Sequence, residues 1–167
     1  MALQPPVQED LRRTLRRSGV GAVLLCTCNR TELYWCSRGP GDDAAVRAAL
    51  MAAIPRKVVL PRKSLVHLGG IAVASHLFRV TAGLESLILG EGEVLGQVRD
   101  AIDAAEGGRG SGHVLSELFR AALRCGGRVR SETQIGTGAL SAASASVHLL
   151  SQTPRSSGVL GCSVRTT

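Results

Sequence analysis

The residues best suited to covalent chemistry lie in one turn, Cys26-Thr27-Cys28-Asn29-Arg30, where two thiols and a guanidinium follow directly on an apolar run. A thiol at the mouth of a strand, with a cation close in sequence, has its pKa lowered and is partly thiolate near neutrality, which is the nucleophilic form. A second reading stays open at this point: any one of Cys26, Cys28 and Cys36, taken alone, is more often a small buried core residue. Metal binding is a poor fit, because Cys26 and Cys28 are one residue too close for the usual zinc pair and neither Cys36 nor the histidines supply a second half. A further group of polar side chains, Ser86, Glu91, Glu93 and Gln97, surrounds Gly90 and Gly92 in a loop. By residue type alone, His76 is a satisfied helix-face histidine, and Ser86 and Gln97 are a cap and a surface residue.

These groups need elements to carry them. Residues 20–25 are apolar, partly β-branched and too few for a helix, so they form a buried strand, and the alternating residues 32–36 form a second. Residues 8–17 make a short, arginine-rich surface helix, with Pro5-Pro6 as its start signal and Gly19 as its end. Asp42 or Asp43 caps a helix running to Ala53, closed off by Pro55. Residues 58–60 suggest another strand and residues 65–68 a brief extended piece. Val73, Leu77, Val80 and Leu84 recur at helical spacing and predict a helix over 71–82, ended by Gly83. The acidic loop opens a helix that buries Val94, Val98, Ile102 and Ala105. A longer helix over 113–131 turns Leu115, Leu118, Phe119, Ala122 and Val129 inward and carries Arg120, Arg124, Arg128 and Arg130 on a basic face. Gly126-Gly127 weakens its middle, at about 1 kcal/mol per glycine relative to alanine. Residues 139–150 are rich in small side chains and helical, and from 151 onward the pattern dissolves into a tail.

At 167 residues the chain is one ordinary domain with a real core. Only 2% of it is aromatic, so that core is built from Ala, Leu and Val around two bulky anchors, Phe78 and Phe119. The formal net charge is +7, nearly all from arginine, since Lys57 and Lys63 are the only lysines. Such a balance suits a polyanionic partner such as nucleic acid, held mainly through phosphate because no aromatic residues interleave the cations. Five cysteines without regular spacing, no signal peptide and no apolar run of spanning length give a cytoplasmic protein without a membrane partner.

Taken in order, the phrases Cys26-Thr27-Cys28-Asn29-Arg30-Thr31-Glu32-Leu33-Tyr34, His76-Leu77-Phe78-Arg79-Val80, Ala82-Gly83-Leu84-Glu85-Ser86, Leu89-Gly90-Glu91, Leu95-Gly96-Gln97-Val98, Arg130-Ser131-Glu132-Thr133 and Ile135-Gly136 resemble glutamyl-tRNA reductase, the first committed enzyme of tetrapyrrole (porphyrin) synthesis from glutamate. The resemblance runs from about residue 23 to 149 and implies acyl chemistry at an aminoacyl ester. The cysteine matching Cys28 attacks the carbonyl joining glutamate to the tRNA 3′ end and leaves a thioester, which NADPH reduces to glutamate-1-semialdehyde. Thr27, Asn29 and Arg30 match substrate-binding positions, with Arg30 the natural partner of the glutamate side-chain carboxylate. Ser86, Glu91, Glu93 and Gln97 match others, an acid among them suited to the substrate ammonium. His76 matches a histidine near the nucleophile. Cys26 occupies a position the family commonly fills with serine.

The resemblance also implies an α+β fold, a small mixed or antiparallel sheet packed with several helices and followed by the start of a long helical segment. It divides the chain into a catalytic domain over 1–136, a helical linker over 137–150 and a divergent tail over 151–167. Three departures stand out. The Asn-His phrase of the family's first strand is missing from residues 1–19, so the sheet is one strand short by comparison. Glu93 stands where glutamine is usual, adding negative charge at the loop. Residues 158–163 are no G-x-G-x-x-G fingerprint, so the expectation is a chain without the NADPH-binding domain and without the helices that make the family a homodimer. The expected partners are glutamyl-tRNA and the next enzyme of the pathway, glutamate-1-semialdehyde aminomutase. The alternative expectation is a non-catalytic remnant that binds tRNA or a partner, or an unstable gene fragment.

Overall fold

The computed structural model describes residues 3–27, 30–53, 66–86, 89–107 and 112–136. The elements follow as α1 (Pro5–Ser18), β1 (Ala22–Cys26), β2 (Thr31–Trp35), α2 (Pro40–Ala53), α3 (Ile71–Thr81), α4 (Glu93–Glu106) and α5 (Gly112–Glu132). The expected strand over 58–60, the helix over 139–150 and the tail lie outside the described residues, as do Cys28 and Asn29.

Period-two alternation in the two strands decides the layering. β1 and β2 pair antiparallel with Leu24 opposite Leu33 and Cys26 opposite Thr31. From one face, Val23, Leu25 and Tyr34 enter a core with Leu77, Val80, Val98, Ile102, Leu115 and Phe119 from α3, α4 and α5. From the other, Ala22, Leu24, Cys26, Leu33 and Trp35 meet Leu11 and Leu15 of α1 and Val46 and Ala49 of α2. The hairpin is therefore the middle layer of three, in the α+β class expected, and a fully buried leucine in either core contributes about 1.5–3 kcal/mol. Among the described residues, no helix is long and apolar enough to cross a membrane.

Local signals explain most of the boundaries. Proline opens α1, whose missing N–H costs nothing at a helix start, and Gly19 closes it in the left-handed conformation at φ 69°. α2 begins at Pro40, ahead of the acids expected to cap it. Asp42 instead accepts from the backbone N–H of Arg38 at 2.9 Å and from its guanidinium, which lowers the Asp42 carboxyl to about 2, while Asp43 accepts from the Trp35 indole at 2.7 Å. The inward set of α4 is as expected, with Val94, Val98, Ile102 and Ala105 all buried.

Three further expectations change. Phe119 is fully enclosed, but Phe78 is only half-buried, and the second aromatic of the core is Tyr34, set edge-on to Phe119 at 5.1 Å. Leu84 falls beyond the end of α3 and is exposed, because the helical spacing that included it runs through the Gly83 turn. Gly126 does not simply weaken α5. It lets α5 cross the end of α3, since a Cβ there would stand 2.7 Å from the Thr81 carbonyl oxygen and 2.8 Å from its Cγ2, whereas a Cβ on Gly127 meets nothing within 4 Å among the described residues. Gly126→Ala should therefore lower stability by about 1–3 kcal/mol. Gly127→Ala should raise it by about 0.5–1 kcal/mol. Urea midpoints of the two variants should move in opposite directions.

Candidate active site

The site begins where α3 ends. The last four carbonyls of a helix lack intrahelical partners. Here Ala82 N–H donates to Phe78 O, Leu84 N–H to Arg79 O and Gly83 N–H to Val80 O, each at 2.9 Å, a Schellman turn that Gly83 permits at φ 82°. The fourth carbonyl, Thr81 O, receives Nη1 of Arg130 at 2.8 Å. Arg130 thus leaves the exposed basic face expected of it. Its Nη1 also donates to Gly126 O and its Nη2 to Glu91 O at 2.9 Å, and desolvation lowers its pKa.

Past the turn, the Gly90 N–H donates to Gly83 O at 3.1 Å and closes the polar loop. Gly90 has φ 77°, and a Cβ on it would fall 1.8 Å from the carbonyl oxygen of Ile135, so only glycine fits between the loop and the turn after α5. Facing this loop is the hairpin turn. Thr27 N–H donates to Arg30 O at 2.9 Å, and Arg30 N–H to Thr27 Oγ1 at 3.3 Å. Cys28 and Asn29, between them, are the two expected site residues outside the described ones.

Between turn and loop lies a shallow concavity, open to solvent and lined by Thr27, Arg30, Val80, Glu85, Ser86, Glu91, Val94 and Gln97. Five of the expected site residues, from three separate stretches of chain, therefore converge there. Glu93 does not, being exposed in the first turn of α4, where its charge complements the helix N-terminus. A second shallow concavity, between α1 and β1, is lined by Arg12, Leu15, Arg16, Val20, Ala22, Leu24 and Ala105, and brings no acid or thiol.

His76 stands beside the concavity and joins it through Glu32. His76 Nε2 lies 2.9 Å from Glu32 Oε1, and since a carboxylate oxygen accepts, Nε2 is the donor of this contact. The same Oε1 is 3.5 Å from Nη1 of Arg30, and Tyr34 O–H donates to Oε2 at 2.6 Å. Burial, then the adjacent Glu32 charge, push the Tyr34 phenol far above its usual range, so it stays a donor. Arg30 Nη2 also donates to the Glu85 carbonyl. Glu85 pairs with Arg79 at 2.6 Å, which holds its carboxyl below the usual range, helped by His76 and Arg30.

Glu32 and Glu85 were not among the expected site residues. The signal for Glu32 was present: it follows Arg30 by two in a strand, so it shares the face of Tyr34 and turns toward the core. Cys26 lies on the opposite face, among residues packed on α1 and α2, its thiol 3.8 Å from Thr31 Oγ1 and raised in pKa by burial. Among the described residues, no three His, Cys, Asp or Glu side chains gather as metal ligands do.

Comparison with known proteins bears on this arrangement. Residues 1–133 match the family described as glutamyl-tRNAGlu reductase, N-terminal domain. The glutamyl-tRNA reductase of Chloroflexus aurantiacus is 46% identical over 132 residues, covering 77% of this chain and 30% of the relative. That of Thermus thermophilus is 43% identical over 148 residues, covering 89% of this chain and 35% of the relative. The solved glutamyl-tRNA reductase of Methanopyrus kandleri superposes with a TM-score of 0.61 at 32% identity, over 89% of this chain and 37% of that one. The chain spans about a third of the length of the curated relatives it matches. With residues 1–133 matched and relatives 43% and 46% identical over most of this chain, the chain belongs to the glutamyl-tRNA reductase family and corresponds to its N-terminal domain.

Proposed function

We propose that this domain performs the acyl-transfer half of glutamyl-tRNA reduction. The thiolate of Cys28 attacks the ester carbonyl of glutamyl-tRNA, a C–S bond forms as the C–O bond breaks, and the tRNA leaves with its terminal hydroxyl reprotonated. The observation that carries this reading is the convergence of Thr27, Arg30, Ser86, Glu91 and Gln97 on one concavity beside the Cys28 turn. A glutamyl group presents a side-chain carboxylate and an ammonium, and the concavity offers a guanidinium and an acid.

Arg30 grips the carboxylate. A guanidinium has five donors in a fixed fork, enough to hold Glu32 and Glu85 and still bind a substrate oxygen. Glu91 is the partner for the ammonium, with Ser86, Thr27 and Gln97 completing the polar lining, and the family resemblance adds Asn29 as a substrate-binding position. Glu32 engages Nε2 of His76, so that Nδ1 is the nitrogen left to take or return a proton. NADPH would supply hydride to the finished thioester. The described residues contain a two-stranded antiparallel hairpin and no parallel βαβ unit for a dinucleotide, so the chemistry assigned to them stops at the thioester.

Incubation with glutamyl-tRNA followed by intact mass should show one glutamyl adduct on the wild-type chain, none on Cys28→Ser, and an undiminished adduct on Cys26→Ser. An adduct that survives Cys28→Ser, or no adduct on the wild-type chain, overturns the assignment. Glu32→Gln keeps the shape of the side chain but removes the charge that orders Arg30 and His76. It should slow adduct formation at least about tenfold, the scale of a lost hydrogen bond to a charged group. Circular dichroism should stay unchanged.

A further inference from the structure

The stretch from Arg130 to Gly136 is part of the family resemblance, yet none of it lines the concavity. Its contacts lead there all the same. Nη1 of Arg130 holds Thr81 O at 2.8 Å, at the end of the helix that carries His76. Nη2 holds Glu91 O at 2.9 Å, the backbone of the residue whose side chain lines the site. Behind the loop, the Ile135 carbonyl presses on Gly90, whose N–H is tied to Gly83 O at 3.1 Å. One planar group therefore spans α5, the end of α3 and the substrate loop.

Its Nε is buried with no acceptor among the described residues, a cost that an apolar contact at the same place would avoid. What an apolar contact would not supply is a fixed direction for the Glu91 carbonyl. A lysine ammonium is a single point and lacks the two separated nitrogens that reach Thr81 and Glu91 at once.

We propose that Arg130 is a positioning residue for acyl transfer: by holding the Glu91 carbonyl to the end of α3, it sets the Glu91 carboxylate at the distance from Arg30 that a glutamyl group requires. The proposal rests on the reading of the site as one for an aminoacyl ester.

Arg130→Lys and Arg130→Gln, made in the full chain, test it through two readouts. The first needs no substrate: amide exchange at Gly90 should quicken in both variants by about tenfold or more, while the β1 amides of Val23 to Leu25 keep their protection. The second is adduct formation against glutamyl-tRNA concentration. Arg130→Lys should keep the thermal midpoint and the final adduct stoichiometry of wild type but raise the half-saturating concentration by about tenfold, whereas Arg130→Gln should lose on both counts. Unchanged half-saturation in Arg130→Lys overturns the proposal, and so does a fall in stoichiometry that follows the thermal midpoint, which marks a purely structural role. If the wild-type chain forms no adduct, the acyl-transfer reading fails by itself. Gly90 exchange alone then decides the clamp, equal rates in wild type and variants overturning it.

Discussion

One unmatched carbonyl organises this site. A helix that ends in a Schellman turn satisfies three of its last four acceptors from its own chain, and α3 leaves Thr81 O for something else. That a guanidinium from α5 fills the vacancy joins three segments that are otherwise distant in sequence: the helix of His76, the loop of Glu91 and the last turn of α5. The approach is close enough that two positions admit no side chain, Gly126 against Thr81 and Gly90 against Ile135. Placement of the polar loop is thus a backbone matter, settled by hydrogen bonds and van der Waals contact before any of its side chains is considered.

Electrostatics in the concavity depend on Glu32 in the same way. With its side chain only 14% exposed, its carboxylate oxygens are largely out of reach of water and need partners from the protein. Tyr34 supplies one hydrogen bond from the core side, anchored by its ring against Phe119, His76 supplies another, and Arg30 adds an ion pair at 3.5 Å. Core packing and site geometry are therefore one chain of contacts, running Phe119, Tyr34, Glu32, then the imidazole and the guanidinium.

How much of this was legible in the sequence follows from the range of each interaction. α1, α4 and α5 were readable because their signals are local: proline at a start, glycine at an end, apolar residues at helical spacing. The hairpin was readable because alternation and a polar turn lie within a dozen residues. The expected site residues came from a family resemblance, and five of them line one concavity, which residue types alone would not have assembled. Arg130 was misplaced on an exposed face because helical periodicity knows nothing of a carbonyl on another helix. Gly126 looked like a weak point for the same reason. Phe78 was overrated as an anchor, since size predicts burial only on average and this residue lies at the border of its helix's inward face.

The division between backbone and side chain in the polar loop has a consequence for how such a domain can change. Gly83, Gly90 and Arg130 fix the path of the chain, whereas Glu85, Ser86 and Glu91 are displayed from it. A substitution among the displayed residues alters charge or hydrogen bonding at the concavity without moving the frame. A substitution among the first three moves the frame and every displayed group with it. The chemistry that the concavity displays is therefore open to gradual retuning, one side chain at a time, while its scaffold is open to change only in coordinated steps.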